Sequence, residues 1–149
     1  SGVAGTYTPR QEDFGYKISP FQDGGRIITS AEFNLAAASG TREALWKEMR
    51  DHEQDRRNKG HFAYPCAGSI FKNDRAFGRP SGQIIDEQGL RGLTRGGARV
   101  SEQHGNIIVN AGGATAADIR MLVMDVQTRV FEATGYHLDP EILFIGDWS

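Results

Sequence analysis

One cysteine, no long apolar run and no excess of positive charge narrow this chain before any motif is read. The single Cys66 excludes an intrachain disulfide and fits a reducing compartment. No apolar run approaches the ~20 residues needed to cross a bilayer. No signal-peptide pattern opens the chain. A formal net charge of −2 gives no broad electrostatic footprint for nucleic acid. The expectation is a cytoplasmic, soluble protein whose partners include neither membrane nor nucleic acid.

Several chemical signatures are missing as well. There is no strand–GxGxxG–helix unit and no Walker pattern. Ser69 lacks a GxSxG elbow, which argues against a hydrolase triad. His52, His61, His104 and His137 are scattered without ligand spacing, and Cys66 has no CxxC partner. No metal site is expected.

What remains is a chain of 149 residues, 38% hydrophobic and 24% charged. That suffices for one ordinary core, or one core plus part of another. The first residue is Ser1 rather than methionine. A processed or tagged terminus explains this, and so does a start inside a longer protein.

Tyr7 to Phe21 carries aromatics but is too short to own a core. Arg26 to Leu35 reads as a strand anchored by Ile28, Phe33 and Leu35, entered through an Asp23-Gly24-Gly25 turn. Thr41 to about Lys59 reads as a helix, with Thr41 as N-cap, Glu43 in the first turn and Gly60 as its stop. Its apolar stripe fades after Met49. Gly82 to Gln88 reads as a short helix. Arg99-Val100-Ser101 and Asn106 to Asn110 read as short strands joined around His104-Gly105. Thr115 to Thr134 is a helix: Thr115 and Asp118 have capping-box spacing, and Ile119, Leu122, Val123, Val126 and Val130 share one face. Gly135 stops it, and Ile142 to Ile145 reads as a closing strand. The pattern predicts an α+β fold, with helices packed on a mainly antiparallel sheet.

The richest local chemistry is Pro65-Cys66-Ala67-Gly68-Ser69-Ile70-Phe71-Lys72-Asn73. A Gly-Ser pair turns tightly and presents a hydroxyl, and Lys72 and Asn73 add a cation and an amide. That suits an anionic polar small molecule, although most Gly-Ser pairs are plain turns. The arginine–glycine turns Leu90-Arg91-Gly92 and Arg95-Gly96-Gly97 offer backbone N–H groups and guanidinium, good partners for a diphosphate, or are simply exposed turns. His104 reads as a turn residue with a satisfied ring. Glu141 follows Pro140 into an apolar segment. A carboxylate desolvated there suits proton handling; otherwise it faces solvent.

Taken in order, eight segments resemble a known family. They are Phe14 to Phe21, Ala67 to Asn73, Gly82 to Asp86, Gly89 to Gly92, Gly96 to Ser101, His104 to Asn110, Ala114 to Asp118 and Leu138 to Gly146. Together they resemble the UDP-N-acetylenolpyruvoylglucosamine reductases (MurB) of peptidoglycan synthesis. The resemblance implies that residues 1–35 are the tail of a flavin-binding region. Residues 36–149 would then form the UDP-sugar-binding domain. The partner would be the missing N-terminal flavin-binding half. It implies reduction of UDP-N-acetylglucosamine enolpyruvate to UDP-N-acetylmuramate, with NADPH reducing bound FAD. It also implies that this chain alone is inactive and keeps no tightly bound FAD.

On that resemblance Ser69 matches the family's proton donor and Glu141 its carboxyl group at the same centre. Tyr16 and Asn73 match substrate-binding residues. Arg91 stands where lysine is common near the diphosphate, and the exchange is not neutral because guanidinium donates as a flat fork. Arg57 matches a basic residue upstream of the serine. Lys17 and Ile18 depart from the family's usual arginine and polar residue. A non-catalytic UDP-sugar-binding module is the alternative from another class.

Overall fold

A computed structural model describes residues 2–22, 24–37, 39–58 and 63–148. The chain divides into two units, Ser1–Gly40 and Thr41–Ser149.

The first unit is held by local bonds. Arg10 pairs with Asp13 at 3.0 Å around the one-turn 3-10 helix Gln11–Asp13. Tyr7 donates to the same carboxylate and meets the Phe21 ring edge-on at 5.1 Å. Gly15 and Ile18 bridge each other across Tyr16 and Lys17. The strand expected over Arg26 to Leu35 is absent. A strand exists only through a ladder partner, and this segment has none among the described residues. Ile27, Ile28, Phe33 and Leu35 are exposed.

The second unit opens with α1, Arg42–Asn58. Thr41 Oγ1 accepts the Ala44 N–H at 3.2 Å, the capping bond expected of it. The helix buries nothing. Its i,i+4 pairs, Lys47 with Asp51 and Glu53 with Arg57, lie on an exposed surface. The expected stop at Gly60 falls outside the described residues.

Then come β1 (Cys66–Ser69), α2 (Ser81–Glu87), β2 (Thr94–Arg95), β3 (Ala98–Val100), β4 (Ile107–Asn110) and α3 (Ala116–Thr134). The four strands form one antiparallel sheet in the order β1-β4-β3-β2. Gly96 and Gly97 make the two-residue turn between β2 and β3. The fold is α+β, as the pattern predicted.

α3 forms because its ends are chemically fixed. Thr115 Oγ1 accepts the Asp118 N–H at 3.1 Å, and Asp118 Oδ2 accepts the Thr115 N–H at 2.9 Å. Gly135, at φ 75°, closes it with a bond to Phe131 O. Leu122, Val123, Val126 and Val130 are fully buried. Each such side chain contributes about 1.5–3 kcal/mol relative to exposure. They meet Ile84 and Ile85 of α2, Val100 and Ile108 of the sheet, and Ile70, Phe71 and Leu138.

The closing strand expected at Ile142 to Ile145 is also absent. Only Pro140 bridges Phe71, and Leu143 and Ile145 are exposed. The chain turns away after three paired residues, so no ladder continues. Among the described residues no helix is long and apolar enough to cross a membrane.

Candidate functional site

Ser69 owes its place to a defect in pairing. Cys66 opposes Val109 and Ser69 opposes Ile107, so β1 carries one residue more than β4 across that span. Such a bulge bends a strand and re-aims its side chains. Gly68, at φ 82°, takes the conformation that L side chains resist. Ser69 emerges exposed at the strand's end.

Two cavities share Ser69 and His104 as walls. One, about 300 Å³, is completed by Asn73, Gln83, Asp86 and Asn106. The other, about 590 Å³, takes in Arg56, Tyr64, Cys66 and Ile107. The smaller wall is rich in donors and acceptors, which suits a polar ligand.

Glu141 arrives from the far end of the chain. Residues 139–141 pair with 70–72: Glu141 N–H donates to Ile70 O at 2.7 Å, and Lys72 N–H to Asp139 O at 2.8 Å. The half-buried Glu141 therefore enters beside the residue that follows Ser69. It is not itself in either cavity wall. Lys72 is drawn to Asp139 at 2.7 Å.

Asn73 lines the smaller cavity while its Oδ1 accepts the Ser81 N–H at 2.9 Å, pinning the start of α2. Arg91 is held by Asp86: Nε donates to Oδ1 at 2.6 Å and Nη2 to Oδ2. It reaches the cavity only through that carboxylate. The Arg91 guanidinium, aided by His104 and the Gly105 N–H, holds the Asp86 carboxyl below the usual range. Asp86 in turn raises Arg91. Arg57 is exposed on α1 and bonds Glu53 at 2.6 Å; its neighbour Arg56 lines the larger cavity instead. Tyr16 lies in the first unit, 55% exposed.

Gln83, Asp86 and Asn106 were not singled out by the sequence. Asn106, a polar residue at the mouth of the apolar run Ile107-Ile108-Val109, was the one readable hint. His104 does accept the Asn106 N–H on Nδ1 at 3.1 Å, as a satisfied turn ring should, yet it also walls both cavities.

No three His, Cys, Asp or Glu side chains among the described residues converge on a metal position.

The fold and site define a small α+β domain with a polar cavity lined by Ser69, Asn73, Asp86 and Asn106, and with the Glu141 backbone paired to Ile70. A family model described as the C-terminal domain of UDP-N-acetylenolpyruvoylglucosamine reductase matches residues 60–145. The chain belongs to this family. The reductase of Borrelia garinii subsp. bavariensis is 46% identical over 137 residues, covering 92% of this chain and 44% of that protein. That of Treponema denticola is 44% identical over 152 residues, covering 96% and 46%. A crystal structure of UDP-N-acetylenolpyruvylglucosamine reductase (MurB) from Thermus caldophilus is 36% identical, with a TM-score of 0.49 over 68% of this chain and 35% of that one. The chain spans a little under half the length of the curated relatives it matches.

Proposed function

We propose that this chain is the substrate-binding part of a cytoplasmic reductase of peptidoglycan precursor synthesis. The reaction is conversion of UDP-N-acetylglucosamine enolpyruvate to UDP-N-acetylmuramate. FAD and NADPH supply the reducing equivalents, held by protein outside the described residues. Family membership supports the reaction class, and the exposed thiol of Cys66 fits a reducing compartment.

The observation that carries the reading is Ser69 at the junction of two cavities, with the Glu141 backbone bonded to Ile70, the residue that follows it. A hydroxyl is a weak acid. It donates usefully only to a strongly basic acceptor held in fixed geometry. An enolate-like substrate carbon is such an acceptor. In this role Ser69 Oγ gives its proton to that carbon, and Glu141 polarises the substrate or relays the replacement proton. Asn73 and Tyr16 bind substrate. Arg91 serves the diphosphate, with Asp86 as its tether, and Arg57 is a further substrate contact.

In the flavin-loaded reductase containing this chain, Ser69→Ala is expected to lower kcat by about 10²–10⁴-fold. KM should stay within a few-fold. Substrate-dependent NADPH oxidation measures both, and an unchanged kcat would remove Ser69 from the chemistry. The chain alone, after extensive dialysis, is expected to show no flavin absorbance band.

A further inference from the structure

We infer that Asn106 is a positioning residue that sets the geometry between Ser69 and Glu141; this rests on the reading above. Asn106 is buried, 4% exposed. Its backbone oxygen accepts the Ile70 N–H at 2.9 Å. Its carboxamide closes a ring with the Phe71 backbone: Oδ1 accepts the Phe71 N–H and Nδ2 donates to Phe71 O, both at 2.8 Å. Three bonds thus fix the two residues that follow Ser69.

The same stretch positions the carboxylate. Ile70 O is the acceptor for the Glu141 N–H. Ile70 therefore bonds Asn106 through its N–H and Glu141 through its C=O. The bulge explains the need. Regular β1–β4 pairing is interrupted between Cys66 and Ser69, so the backbone beyond must be anchored otherwise. A carboxamide meets an N–H and a C=O of one residue with a matching acceptor and donor on one flat group, which an ionised carboxylate cannot do. In a buried place each unmet partner is costly.

The test uses the flavin-loaded reductase containing this chain, with two readouts. The first is amide exchange. Asn106→Ala is expected to speed exchange at Phe71, Ile70 and Glu141 by about tenfold or more, leaving α3 amides unchanged. Unchanged exchange at those three overturns the clamp, whatever the reaction. The second is turnover. Asn106→Ala is expected to cost about a hundredfold in kcat with KM nearly constant. Combined with Ser69→Ala, it should add almost nothing; a product of the two single losses overturns the coupling.

Asn106→Asp guards against a misfolded alanine variant. A neutral carboxyl can both accept from Phe71 N–H and donate to Phe71 O, whereas the ionised form cannot donate. Its turnover, relative to the parent enzyme, should recover as pH falls. A flat ratio across pH overturns the inference. If the parent enzyme itself shows no substrate-dependent oxidation, the functional reading fails, and the exchange data still decide whether Asn106 clamps the segment.

Discussion

At the scale of single residues, the cavity wall depends on contacts too close for any added atom. A Cβ at Gly105 would lie 2.3 Å from Asp86 Oδ1 and 2.7 Å from Gly82 O. Gly105→Ala must move a backbone oxygen, so it is expected to cost about 1–3 kcal/mol of stability, read from urea unfolding. Asp86 adds a pH dependence with a definite sign. Its folded-state carboxyl is depressed, chiefly by hydrogen bonds from Arg91. The stability it contributes is fully present above the unfolded value of about 3.9 and is lost as pH falls through the lower folded value. Asp86→Asn should flatten the loss of stability below about pH 4, and an unaltered pH profile would deny the pair that role. These contacts also explain what sequence reading missed. The Gly68-Ser69 pair marked an exposed hydroxyl at the end of an element, but it lies at a bulge within β1 rather than in the turn the pair suggests. Asn106 gave only the hint of a polar residue before an apolar run, because the partner that defines its role lies 35 residues away in the chain. Arg91 was legible as a cation, but not as a cation already committed to Asp86.

At the scale of elements, α3 and α1 are opposites. α3 could be read to its last residue, since capping box, apolar stripe and terminal glycine all act within a few residues of each other. Thr115→Ala removes the cap to Asp118 N–H and should cost about 1 kcal/mol, visible in the thermal midpoint. α1 was equally legible as a helix, yet it buries no side chain. Its amides are expected to exchange orders of magnitude faster than those around Val123 and Val126; comparable protection would mean a partner covers it. The strands expected at Arg26 to Leu35 and Ile142 to Ile145 failed for one reason. Apolar β-type runs state a preference, but a ladder needs a second strand, and a run of letters does not reveal whether one is there.

At the scale of the whole molecule, the described apolar burial is concentrated in the second unit, while the first unit exposes Phe33 and Leu35. Brief chymotrypsin treatment is expected to cut there first and to spare Phe71, which is 2% exposed. Mass spectrometry of the fragments checks this, and an early cut within the sheet or α3 would contradict it. The pairing of residues 70–72 with 139–141 has one further consequence, for how the protein is made. Lys72 and Asp139 are 67 positions apart. Closing so long a loop is slow, and its entropy must be met before the contacts return anything. On the ribosome, Ser69 is exposed to the cell for several seconds before Glu141 has been synthesised, at about 5–20 residues per second. The two groups can meet only after Glu141 has been made, so a product terminated before it carries the hydroxyl without its carboxylate.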